Sequence, residues 1–306
     1  MVRKLKNKIK ISGKQTQYDD EYRNYLKDID LDELQDKINR FRMLDFKTID
    51  YPEISKEIRK VISVNRGDNE YAILNRKNSK YSTGTKFFRV RKLKKDDHFI
   101  PFRDIVTPKD MWIPPKEIVG LGRLNKENEP LLYTSPMSPF IAVEEMKVLN
   151  DENFIVAVYE SIMDINVCLM GLAEKNPDLN EETNFKQRMI NDFMVHEFIR
   201  DVGEDTKYLY KISETLMKDY YDLPDEFQDA WCYPSVAMKG SVNVCFREEK
   251  AKSKLNLVGI MVGTKHKDKT HFKLVGLSDG FETPFSYYPI GSDEQKRFFP
   301  EINTPE

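Results

Sequence analysis

Gly120–Leu149 reads GLGRLNKENEPLLYTSPMSPFIAVEEMKVL, and the rest of the chain is organised around it. Two glycines flank Leu121 and lead into Arg123. Asn125 to Pro130 is a polar turn, and a short apolar run ends in Tyr133. Ser138-Pro139 predicts a helix start, because serine caps the first free amides and proline fits the first helical position. Ile141, Ala142, Met146 and Leu149 then recur at helical spacing. Glu145, four residues after Ile141 and four before Leu149, falls on their face. A carboxylate on an inward face is costly unless it is paired or used, which singles out Glu145. Glu144 neighbours Lys147 and reads as half-solvated.

Outward from that stretch, 306 residues predict one large domain or two smaller ones. Eighteen Phe and 15 Tyr supply a sizeable core. Charged residues make up 33% of the chain but cancel to a net of −2, so no direct nucleic-acid binding is expected. Cys168, Cys232 and Cys245 are odd in number and form no CxxC, and they read as reduced thiols in a core. His98, His196, His266 and His271 form no HExxH or paired set, so no metal site is expected. No apolar run is long enough to span a bilayer. The basic N-terminus lacks a hydrophobic signal core, which makes the cytoplasm the expected location.

In chain order, Met1 to Thr16 reads as a lysine-rich arm. Tyr18 to Leu44 looks helical, with Asp30 and Glu33 as a capping pair. Glu53 to Val64 predicts a second helix with Ile54, Ile58 and Ile62 on one stripe. Asn65 to Thr85 reads as loops around a short strand, Tyr71 to Leu74. Lys86 to Arg91 alternates as a strand does, with Arg89 and Arg91 on one face and Phe88 and Val90 on the other. Those two arginines make either an anion site or an ordinary solvated strand face. Lys92 to Lys116, rich in proline, reads as a binding loop anchored by Phe99, Phe102, Met111 and Trp112.

Asn153 to Ser161 is apolar on both faces and predicts a central strand. Asn180 to Asp201 (Phe185, Met189 and Phe193 on one line, with Ile190 and Met194 beside it) and Thr206 to Tyr221 predict a helical layer over the sheet. Ala230 to Val236 is a short strand that breaks at Pro234 and presents Ser235. Ser241 to Arg247, Leu255 to Val262 and His271 to Leu277 are further strands, the last two joined across a turn at Lys265 to Lys269. Ser278 to Glu306 reads as a surface-wrapping tail. The fold class is α+β: a mixed β-sheet core with flanking helices. Residues 1–80 form an N-terminal helical accessory region. Residues 81–306 form the main domain, with a helical insertion at about 180–222 and a C-terminal tail.

The ordered set FFRV at Arg89, GLGR at Arg123, LLYTS at Tyr133, IAVEE at Glu145 and YPS at Ser235 resembles the RES family, bacterial proteins named for an arginine, a glutamate and a serine. The resemblance covers about Lys86 to Arg247. The family's Gly-Arg-aromatic-Asn turn appears here as Gly122-Arg123-Leu124-Asn125, with Leu124 in the aromatic's place. The resemblance implies a fold similar to the ADP-ribosyltransferase toxins and cleavage of the nicotinamide–ribose bond of NAD, with phosphate or water as acceptor. NAD is then a substrate and not a redox carrier, in keeping with the missing third glycine of a dinucleotide fingerprint. It also implies a toxin held silent by a helix-turn-helix antitoxin.

On that reading Glu145 stabilises the positive charge that builds on the ribose. Arg89 and Arg123 hold pyrophosphate or the attacking phosphate, with Arg91 as a weaker phosphate contact. Tyr133 stacks on nicotinamide or positions ribose. Ser235 hydrogen-bonds substrate, or holds Glu145 or an arginine in place. No GxSxG elbow surrounds Ser235, so it is not read as a nucleophile. Two alternatives stand beside this reading: transfer of ADP-ribose to a protein or nucleic acid, and a non-catalytic NAD-binding module.

Overall fold

The computed structural model describes residues 14–94, 100, 102–136, 138–171 and 176–302. The lysine-rich arm up to residue 13, with His98, Phe99 and Pro101, lies outside the described residues. The chain divides into two compact units, Met1–Asn75 with Ala173–Met194, and Arg76–Leu172 with Val195–Glu306. The described residues 176–194 belong to the first unit.

The first unit is mostly helical. The run expected to be one helix over Tyr18 to Leu44 is two, α1 (Lys14–Asp28) and α2 (Leu31–Arg42). The break comes at Asp30, whose extended backbone (φ −86, ψ 132) makes it the N-cap, its carboxylate accepting from Glu33 N at 2.9 Å. α3 (Tyr51–Ile62) is capped by Asp50 and buries Ile54, Ile58, Val61 and Ile62. Gly67 at φ 61 turns β1 (Val64–Arg66) back onto β2 (Asn69–Tyr71). The strand expected at Tyr71 to Leu74 is therefore shifted upstream: the hairpin ends at Tyr71, where its partner runs out. Phe41 of α2 meets Phe193 edge-on, ring centroids 5.2 Å apart.

The second unit holds β3 (Lys77–Tyr81), β4 (Lys86–Lys92), α4 (Pro108–Met111), β5 (Leu131–Thr134), α5 (Pro139–Glu145), β6 (Asn153–Ser161) and β7 (Ile165–Leu169). The last turn of α6 (Glu181–Phe198) follows, then α7 (Tyr210–Thr215), β8 (Ala230–Pro234), β9 (Val242–Arg247) and α8 (Glu248–Lys254). β10 (Leu255–His266), β11 (Lys269–Leu277), β12 (Ser286–Pro289) and α9 (Asp293–Phe298) complete it. The class is α+β. One five-stranded sheet has the order β12-β11-β10-β6-β4, the other β3-β7-β8-β9-β5, and among the described residues only β7–β8 pairs parallel. β6 is flanked on both sides, as its two apolar faces require. Lys267 and Asp268, both at positive φ, make the tight turn between β10 and β11.

Each sheet contributes one face to a shared core: Phe87, Ile155, Ala157, Tyr159, Ile260 and Val262 from the first, Leu132, Ile165, Val167, Ala230, Cys232, Val244 and Phe246 from the second. The opposite face of the first sheet (Phe88, Val90, Phe154, Val156, Val158, Met261) is covered by Ala142 and Val143 of α5 and by Phe299 and Ile302. The expected aperiodic tail thus contains a strand and a helix that close this layer. Phe185 is 45% exposed, whereas Ile190, Phe193, Met194 and Phe198 are buried. The buried stripe of α6 is therefore displaced from the expected line. Among the described residues no helix is long and apolar enough to cross a membrane.

Candidate functional site

Among the described residues the two sheets are stitched by one bridge. Phe88 N donates to Ser135 O and Ser135 N to Phe88 O, each at 2.8 Å. Beyond it β4 and β5 part, and Arg89 to Lys92 form an unpaired edge facing a wedge. A cavity of about 570 Å³ occupies this place, within the size range of small-molecule sites. Its walls include Phe88 to Lys92, Arg123, Tyr133 to Ser135, Ala142, Glu145, Met146, Tyr210, Tyr233 and Asn243. Five of the six residues singled out from sequence thus line one cavity, and the sixth, Ser235, bonds directly to one of them.

That bond joins the last residue of α5 to the end of β8: Ser235 Oγ donates to Glu145 Oε2. Met238 N donates to the same Oγ at 2.9 Å, so the single hydroxyl proton is directed at the carboxylate. Glu145 Oε1 has no hydrogen bond among the described residues. Ser235 is buried at the turn where Pro234 ends β8, and its own amide donates to Ser241 O at 2.9 Å.

The route from sequence to Glu145 needs correcting. α5 stops at Glu145, and Lys147 has φ 48. Leu149 is 64% exposed and Met146 43% exposed, so the apolar line expected through them does not face the core. Pro139, Ala142 and Val143 do. Glu145 reaches the cavity because it ends the helix. Glu144 forms a two-oxygen ion pair with Lys265, both contacts 2.9 Å, and fastens the C-terminal end of α5 to β10.

Arg123 sits on a turn built by Asn125. The Asn125 amide donates to Gly120 O and Lys126 O, both at 2.8 Å, and its Oδ1 accepts from Tyr133 Oη at 2.7 Å. Tyr133 Oη in turn accepts from Leu124 N at 3.0 Å. The phenol is therefore fully engaged; burial pushes its pKa well above the usual tyrosine value. Tyr133 offers the cavity its ring and not its hydroxyl. Arg123 Nη1 donates to Phe198 O, at the end of α6, and Nη2 to Arg200 O two residues beyond it. The guanidinium lies 5.6 Å from the Phe198 ring centroid and 5.5 Å from that of Tyr210.

Arg89 and Arg91 occupy the lip of the wedge. Arg89 Nη1 donates to Met111 O and Trp112 O, and Arg91 Nη1 to Asp110 O at 2.7 Å. Both fasten the proline-rich segment to the sheet, and Tyr159 Oη donates to the same Met111 carbonyl. That segment, expected as a binding loop, sends Phe102, Ile105 and Met111 into the core and, among the described residues, gives the cavity wall only Lys92 at its start. Its prolines interrupt regular structure and its apolar side chains still find a core. The cavity wall carries four basic side chains, Arg89, Arg91, Lys92 and Arg123, against one acidic, Glu145, so it favours an anionic ligand. Lys92 is itself paired with Glu152 at 3.0 Å.

Sequence reading gave no site role to Asn125, Ser135, Tyr210, Tyr233 or Asn243, although the first two and Tyr233 fall within its motifs. Asn125 carried a local signal, a carboxamide three residues after a glycine in a tight turn. Ser135, Tyr233 and Asn243 depend on strand register, and Tyr210 on where α7 packs. Among the described residues no three His, Cys, Asp or Glu side chains converge to hold a metal ion. Cys168, Cys232 and Cys245 are all buried, and burial pushes the Cys232 thiol up to about 11. Compared with known proteins, the chain matches no family model, no curated protein and no solved structure.

Proposed function

We propose that the protein cleaves the nicotinamide–ribose bond of NAD, with phosphate or water as acceptor, in a site similar to that of the ADP-ribosyltransferase fold. The observation that carries this reading is the Ser235–Glu145 pair at one wall of a cavity whose other charged residues are basic. Departure of nicotinamide leaves positive charge on the ribose. A carboxylate with one oxygen fixed by Ser235 and the other free accepts from ribose hydroxyls and stabilises that charge. Arg123, already oriented by two carbonyls, keeps N–H groups for a phosphate oxygen. Arg89 and Arg91 add positive potential at the lip. The neutral, aromatic part of the wall (Tyr133, Tyr210, Tyr233) suits a stacked ring.

The experiment is incubation of the full chain with NAD, with and without inorganic phosphate, products separated by chromatography and phosphorus NMR. Nicotinamide with a phosphorylated ADP-ribose that forms only when phosphate is present supports phosphorolysis; nicotinamide with plain ADP-ribose supports hydrolysis. No nicotinamide under either condition overturns the reading. One feature favours transfer to a macromolecule as a second reading: Phe140, Met146 and Leu149 are exposed on and just after α5, and Met146 lines the cavity. Labelled NAD decides between them, since transfer tags a protein or nucleic acid.

A further inference from the structure

Asn243 is 5% exposed and lines the cavity, yet its carboxamide has no hydrogen bond among the described residues. Its amide atoms are not among the fully enclosed unpaired groups, so they open onto the cavity and are available to an occupant of that space. Its neighbours follow from register. Asn243 pairs with Tyr233 across β8–β9. The β5–β9 ladder runs Tyr133↔Cys245, Thr134↔Val244; one further step sets Ser135 opposite Asn243. Residues directly opposite share a sheet face, so Ser135, Asn243 and Tyr233 stand on one side of the sheet. Ser135 is 2% exposed and its Oγ is also without a partner. Two unpaired neutral groups, one a hydroxyl and one an amide, thus belong to residues that line the same cavity at the seam where the sheets separate. Tyr133 shares their face and lines the same wall.

We infer that Asn243, backed by Ser135, reads an uncharged carboxamide on the ligand and so selects the amide form of the pyridine ring over the carboxylic acid. This rests on the NAD reading above. Asn243 Oδ1 accepts an amide N–H and its own N–H₂ donates to the amide carbonyl; Ser135 Oγ, enclosed as it stands, joins the carbonyl only on rotation of its side chain. A carboxylate placed there loses its hydration against neutral groups, with no amide N–H to offer Asn243 Oδ1. It also approaches Glu145, which Ser235 holds two residues along from Tyr233.

The test compares binding of NAD and of nicotinic acid adenine dinucleotide by calorimetry, in full-length protein carrying Glu145→Gln to stop turnover. A preference for NAD of about tenfold or more is expected, the cost of an unpaired buried charge exceeding that of a neutral hydrogen bond. Adding Asn243→Ala weakens NAD binding by roughly 3- to 10-fold and removes most of the preference. Ser135→Ala, which deletes an unpaired hydroxyl, leaves Tm unchanged or higher while weakening NAD binding. NAD bound without preference, or a preference that survives Asn243→Ala, overturns the inference and leaves NAD as ligand. A fall in Tm for Ser135→Ala shows that the hydroxyl serves the fold and removes it from the pair. Failure of Glu145→Gln protein to bind either dinucleotide overturns the NAD reading and this inference with it.

Discussion

A methyl group added at Gly122 meets Asn125 Oδ1 at 2.3 Å, Asn125 Cγ at 3.3 Å and Tyr133 Oη at 3.4 Å. Asn125 cannot move aside freely, because its amide holds Gly120 O and Lys126 O and its oxygen holds Tyr133 Oη. Gly122→Ala therefore breaks two or three hydrogen bonds in a buried hub. At about 0.5–1.5 kcal/mol each, with a further penalty for buried groups left unpaired, the loss is roughly 2–4 kcal/mol. For a domain of this size that lowers Tm by roughly 5–15 °C. Gly120, two residues earlier, has nothing within 4 Å of the same methyl group and no positive φ. Gly120→Ala is expected to be neutral or slightly stabilising, by up to about 1 kcal/mol, through the unfolded chain. Scanning calorimetry of the two variants beside the parent protein reads both. A Gly122→Ala Tm within a degree of the parent, or equal losses in the two variants, refutes the hub.

Glu145→Gln abolishes nicotinamide release without lowering Tm, whereas Glu144→Gln lowers Tm by releasing Lys265 and keeps most of the turnover; equal losses of turnover would shift the catalytic role away from Glu145. Arg89→Met costs about 1.5–3 kcal/mol of stability, because a charged donor leaves two carbonyls, and urea unfolding that matches the parent's returns Arg89 to a purely ligand-facing role. Asp164 is held down to about 2 by hydrogen bonds from Lys80 and from the Thr83 amide and hydroxyl. Its folded pKa lies below the ordinary aspartate value near 3.8, so its contribution is present above about pH 4 and is lost as the pH falls toward 2. Asp164→Asn should reduce stability at pH 6 and converge on the parent near pH 2; curves that stay parallel over that range would contradict the linkage.

What the sequence made legible was local. The Ile54, Ile58, Ile62 stripe of α3 and the alternation of Phe88, Arg89, Val90 and Arg91 in β4 need only a period. Lys77 to Tyr81 was read as loop because an edge strand with alternating polar residues offers no apolar pattern. Glu145 was found through a helix face that does not exist; the helix ends there, and helix ends are set by backbone geometry at Lys147 and beyond. Ser235 was foreseen as a possible anchor for Glu145, and its bond to that residue spans 90 positions in the chain. Ser135 and Asn243 could not be paired in advance, since their juxtaposition follows from the register of β5 on β9, fixed by contacts more than 100 residues apart.

The Phe88–Ser135 bridge has a mechanical meaning. Two sheets that touch along one pair of residues would behave as loose leaves if nothing lay behind them. Here the same two sheets grip a common core on their other side, from Phe87 and Tyr159 to Leu132 and Phe246. The grip fixes the angle of the leaves, so the slot between them is held open before any ligand arrives. A preformed slot needs no lid to build it, and a ligand that fits it gives up little to shaping its host.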